Sequence, residues 1–117
     1  MKISGAIERA DELRPNAVAD HLKAEWLFAL DGELAELFGL DEAPDAVNYP
    51  EADAELLMPY PKDNIYPLYL MAMIDNANEE TALYANDMTV AMDAIQDAKR
   101  WVMRTLPRPE QGPVRCL

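Results

Sequence analysis

Cysteine and histidine are nearly missing from this chain of 117 residues, which holds one of each, Cys116 and His21. A lone cysteine has no partner within the chain, which excludes a disulfide framework and points to a reducing compartment. One histidine and one cysteine near the end also leave no Cys–His nucleophile pair, and the four glycines form no phosphate-binding loop. The longest apolar run, residues 65–74, is about ten residues, against the roughly twenty that cross a bilayer. The N-terminus shows no charged region followed by an apolar stretch, so no secretory signal is expected.

Positive charge is the other scarcity. There are 10 Lys and Arg against 22 Asp and Glu, a net charge of −12. The imbalance is uneven: residues 1–97 carry net −16, and residues 98–117 carry net +4. Such a body repels nucleic acid, whose binding proteins neutralise phosphates with Lys and Arg. It repels anionic membranes for the same reason. Two readings remain open, a surface that is acidic for solubility and an acidic body with a basic C-terminal arm for an acidic partner.

What the sequence does have is helical periodicity. The expectation is an all-α fold: one domain over residues 1–105, built as a small bundle of about four helices near 2–14, 17–38, 63–78 and 80–105. Ile3, Ile7, Ala10 and Leu13 form the first stripe, which Pro15 ends. Asn16 is placed to cap the second helix, where Val18, Leu22, Trp26, Leu30, Leu34 and Phe38 recur every four residues. Gly32 marks a kink or a close backbone approach in it, and Gly39 a left-handed cap. Asp63 is placed to cap the third helix, which has Pro67 in its first turn and is apolar on every side from Ile65 to Ile74. The fourth puts Tyr84, Met88, Ala91, Ile95, Ala98 and Val102 on one face, with Asp93, Gln96, Asp97, Arg100 and Arg104 opposite. Together the last two helices read as an antiparallel pair supplying most of the core.

Between the helices lies a long proline-rich loop, 41–62, with four prolines and many acids. Its Leu56-Leu57-Met58 stretch suits a short extended strand or hairpin, never a central strand, because Pro59 and Pro61 lack ladder donors. Residues 106–117 form an arm with three prolines, expected to be extended. Candidate sites are weak. His21 and Glu25 supply two metal ligands where zinc needs three or four, and Glu51, Asp53 and Glu55 lack an EF-hand pattern. No metal or other cofactor is expected, and no enzymatic activity. The methionines fall mainly in apolar stripes and read as core filling, while Tyr60, Tyr66, Tyr69 and Tyr84 suit a core edge or an interface equally.

The ordered set LRPN (13–16), ALDGEL (29–34), ELLMPYP (55–61), IYPLYLMAMIDNANEE (65–80) and LYANDM (83–88) resembles the small helical head–tail connector, or adaptor, proteins encoded by long-tailed phages and prophages. The likeness covers residues 3 to about 105; it departs at Pro67 and at Asn78-Glu79, where a glycine is common. The resemblance implies a structural virion protein: a subunit of a homo-oligomeric ring, commonly twelvefold, seated below the portal protein in the neck of the particle and present in the host cytoplasm during assembly. The ring would extend the DNA channel without specific DNA binding, would contact no membrane, and would present a platform to the next neck or tail protein.

In that setting Arg104, Arg108, Pro109, Val114, Arg115 and Leu117 are the expected portal-docking arm. Tyr49, Leu56, Leu57, Met58, Tyr60 and Tyr66 are the expected subunit contacts, with Leu56-Leu57-Met58 able to extend a neighbour's sheet edge. The alternative is a monomeric acidic DNA mimic that inhibits a DNA-binding enzyme.

Overall fold

Pro15 ends the first helix as its ring geometry requires. The helix α1, Ile3–Leu13, gives way to Arg14 with φ −142° and ψ 86°, the extended backbone that a following proline favours. A computed structural model describes residues 1–39 and 49–105, and within them α1 is followed by α2 (Asp20–Leu34), a 3-10 turn (Ala35–Phe38), α3 (Ile65–Ala77) and α4 (Thr81–Thr105). Over the described residues the fold is all-α, a small bundle of four helices.

The second helix differs from its expected form in start, cap and buried face. It begins at Asp20 after Ala19, with no side-chain cap, because Asn16 is used elsewhere. Its buried residues are Lys23, Ala24, Leu27, Leu30, Asp31 and Leu34, so the expected four-residue stripe does not define the core face. A strict spacing of four advances about 40° per step around an α-helix and so spirals off any one face. Leu22 is accordingly exposed, and Trp26 and Phe38 pack only at the core's edge. The true face follows a three-and-four spacing and includes two charged residues. At Gly32 nothing outside its own turn lies within 4 Å of a Cβ built there, which removes the close-approach reading. The chain tightens after Leu34 instead, and Gly39 closes it at φ 73°, the left-handed cap expected.

Helix α3 is the centre of the bundle. None of its residues from Ile65 to Asp75 is exposed, which matches an apolar run wetted on no side. It packs most extensively on α4, then on α1 and α2. Asp63 does not cap it: Asn64 is the flanking residue, and Asp63 contributes only its carbonyl, accepting from Tyr66 N at 3.2 Å. Pro67 sits in the first turn and is buried. Helix α4 buries Ala91, Ile95, Ala98 and Val102, with Tyr84 and Met88 half-buried, as its stripe predicts. The core is shared more evenly than a two-helix scaffold allows, since Ile3, Ala6, Ile7 and Ala10 of α1 and Ala24, Leu27, Leu30 and Leu34 of α2 close it. Each fully buried Leu or Ile contributes about 1.5–3 kcal/mol.

Residues 53–58 run along the N-terminus rather than as a strand. Ile3 N donates to Ala54 O at 3.1 Å and Leu56 N to Met1 O at 2.9 Å, leaving a single antiparallel bridge between Lys2 and Glu55. Leu57 N and Met58 N donate to side chains of the bundle. With those donors occupied inside the protomer, Leu56-Leu57-Met58 offers no edge to a neighbour's sheet, contrary to expectation.

The α3–α4 connection is a tight reversal. Glu79 N donates to Asn76 O at 3.1 Å and Glu80 N to Asp75 O at 2.9 Å, the paired bonds of a Schellman ending. Glu79 occupies its left-handed position at φ 61°, where a Cβ costs about 1 kcal/mol. Glu79→Gly is therefore expected to stabilise the protein by about 0.5–1 kcal/mol in denaturant titration; a loss of stability would contradict this account of the turn.

Candidate functional site

The polar residues that organise this molecule are mostly not those that periodicity singles out. Three clamps tie the helices together, and each uses a charged group at a buried or half-buried position.

The first joins α2, α3 and the segment before α3. The Tyr66 hydroxyl donates to Asp31 Oδ1 at 2.6 Å and accepts from Met58 N at 2.7 Å, while Asp31 Oδ2 accepts from Leu57 N at 3.0 Å. Burial pushes the Asp31 carboxyl above its usual range, against the two hydrogen bonds that favour the charged form. Burial and the neighbouring carboxylate also push the Tyr66 phenol up, so it remains a donor.

The second joins α1 to the α3–α4 hairpin. Arg14 places Nε 3.0 Å from Asp75 Oδ1, and its Nη2 donates to Asp87 Oδ2. Asp75 is 1 % exposed, and among the described residues neither of its oxygens nor Arg14 Nε has a hydrogen-bond partner. Burial first, and the adjacent Asp87 second, raise Asp75 to about 6, while Asp87 is held below its usual range by its contact with Asp75 and by Arg14. The third clamp joins α1 to α2. Buried Lys23 lies 2.7 Å from Asp11 Oδ1 and 3.6 Å from Asp20. Asn16 donates to Asp11 Oδ1 and to Arg14 O, each at 2.9 Å, and accepts from Val18 N. Asn16 thus braces the α1–α2 turn rather than capping α2.

The residues expected at a subunit contact separate accordingly. Leu56, Met58 and Tyr66 are core residues of the protomer, and Tyr49 and Leu57 pack partly against that core. This corrects the expected subunit contact for Leu56, Met58 and Tyr66, which are drawn inward around the Asp31–Tyr66 clamp. Tyr60 alone stands out, 83 % exposed on a turn closed by Lys62 N donating to Pro59 O. Of the expected docking arm, Arg104 is exposed in the last turn of α4, and Arg108, Pro109, Val114, Arg115 and Leu117 lie outside the described residues. His21, Glu25 and Glu51 are exposed, Asp53 accepts from Ser4, and Glu55 pairs with the Met1 ammonium. Among the described residues no group of three or more His, Cys, Asp or Glu could hold a metal ion, and no helix is long and apolar enough to cross a membrane.

No family model matches the sequence, and no curated protein or solved structure matches it either.

The Arg14 clamp makes a pH prediction. A carboxyl raised to about 6 binds a proton in the folded state that the unfolded chain has released, so its stabilising contribution is full below about pH 4 and is lost as pH rises through about 6. Asp87, lowered, acts only at more acid pH, where its contribution falls away. Between about pH 7 and 5 the protein should gain stability, on the order of 1 kcal/mol from Asp75. Relief of acidic self-repulsion adds to the gain in any variant. Asp75→Asn should therefore show a smaller gain than wild type in denaturant titrations at the two pH values; an equal gain contradicts the assignment.

Proposed function

We propose that this chain is a structural adaptor of the phage head–tail connector kind, a ring subunit seated below the portal and above the next neck or tail protein. The observation that carries the reading is the use to which the motif residues are put. Arg14 and Asn16 of LRPN, Asp31 of ALDGEL, and Tyr66 and Asp75 of the third-helix stretch all serve to lock helices together. The stretches that resemble connector proteins are spent on rigidity, which is what a load-transmitting subunit requires. The acidic balance of residues 1–97, net −16, suits a channel wall past which DNA slides without adhering.

In this reading the protein works by burial and docking. The bundle is the rigid body, and the basic residues from Lys99 onward, continuing into 106–117, are the element that reaches the portal. The same acidic balance also suits a DNA mimic, whose carboxylates would track two phosphate rows and compete with DNA for a basic enzyme.

A chain lacking residues 106–117 tests the adaptor reading. It should keep the helical circular dichroism of the full chain yet fail to attach to portal-bearing heads, so that tails do not join. Normal tail joining by the truncated chain overturns the arm's role. A full-length chain that ignores the portal and displaces DNA from a basic enzyme replaces the adaptor with the mimic.

A further inference from the structure

Two ends of the molecule differ in charge and both expose apolar side chains. At one end, Lys62 Nζ lies 2.9 Å from Asp97 Oδ2, and Arg100 and Arg104 act on the same carboxylate. This places the Lys62 turn, and therefore Tyr60, beside the basic C-terminal turns of α4. Tyr60 is 83 % exposed and Met103 60 %, next to exposed Arg100 and Arg104. At the other end, the Arg14–Asp87 ion pair joins the end of α1 to the first half of α4. Leu83 and Val90 lie four residues before and three after Asp87 on the same side of α4, and Leu13 precedes Arg14. All three are 40–46 % exposed. Glu79, Glu80 and Asp93, three or four residues from Leu83 or Val90, are exposed, Arg14 is held by Asp75 and Asp87, and exposed Arg9 lies one turn before Leu13 on α1.

Asp87 and Asp97 are ten residues apart on one helix, about 15 Å along the axis and roughly 80° around it. The two surfaces therefore cannot meet within one protomer. They are different patches of opposite charge, the arrangement that generates head-to-tail contacts and, when the rotation closes, rings. A tyrosine on a proline-flanked turn is a low-entropy anchor of the kind that dominates interfaces.

The geometry points to a second copy of this chain as the occupant: the basic end bearing Tyr60 and Met103 docks on the acidic flank of Leu83 and Val90 of the next copy. The inference deepens the ring reading and rests on it.

Two charge-reversed full-length chains test it, R100E/R104E and E79K/E80K. The exchanged residues are exposed and make no side-chain hydrogen bond or ion pair among the described residues. Each variant should therefore keep the wild-type circular dichroism, with melting lowered only modestly by the unfavourable charges at the ends of α4. The readout is the movement of amide NMR signals as concentration rises from micromolar to millimolar at low salt, which detects weak contacts. In wild type, signals near 79–83 and Val90 should move together with those near Tyr60 and 100–104. Each reversed chain alone should associate at least about tenfold more weakly, and their equimolar mixture should regain the shifts, since an acidic end then meets a basic flank. Wild-type shifts that are absent or lie elsewhere overturn the inference, as do reversed chains that associate like wild type or a mixture that stays dissociated. Such a failure leaves the adaptor reading standing, because that reading is decided by attachment to portal-bearing heads.

Discussion

A phenol and a carboxylate buried between α2 and α3 determine the shape of this protein. Tyr66 and Asp31 would each be costly in an apolar core alone, and together they satisfy one another and take up the two backbone donors of Leu57 and Met58. The consequence is topological. A proline-rich segment with no helical stripe is drawn against the bundle, Leu56 and Met58 become core, and the turn that follows is fixed with Tyr60 pointing out. The N-terminus lies along the same segment through the Ala54 and Leu56 bonds, so α1 is positioned by it as well.

The other clamps extend this principle to the rest of the bundle. Arg14 ties α1 to the α3–α4 hairpin, and Lys23 with Asn16 ties α1 to α2, so each helix is joined to another by at least one ionic or hydrogen-bonded contact. Buried ion pairs add little net stability when weighed against apolar packing, but removing one partner leaves an uncompensated charge. A helical body held in this way has one arrangement rather than several. That suits the proposed ring subunit, which would present its surfaces at fixed positions.

Much of the fold is legible in the sequence where apolar periodicity and turn residues agree. The stripe of α4, the unbroken apolar run of α3, the stop at Pro15 and the cap at Gly39 all follow from local rules. The failures share one cause. Lys23, Asp31 and Asp75 occupy core positions while carrying charge, so they hide the buried face from any pattern built on hydrophobicity. In α2 that deflected the stripe onto Leu22 and Trp26, although Leu27, Asp31 and Leu34 at three- and four-residue spacing mark the face once Asp31 is allowed inside. Leu56, Met58 and Tyr66 were expected at a subunit contact for the same reason: their burial depends on a carboxylate partner far away in the chain. The tyrosines suited a core edge or an interface equally by sequence, and only the fold separates exposed Tyr60 from buried Tyr66.

Amide hydrogen exchange at Leu57 and Met58 tests the central claim most directly. If the Asp31–Tyr66 pair anchors the segment, both amides exchange in the wild-type protein nearly as slowly as those of mid-α3, and Tyr66→Phe speeds Met58 by about tenfold or more while mid-α3 amides keep most of their protection. Fast exchange at Leu57 and Met58 in the wild-type chain, or no change on removing the hydroxyl, would contradict the account.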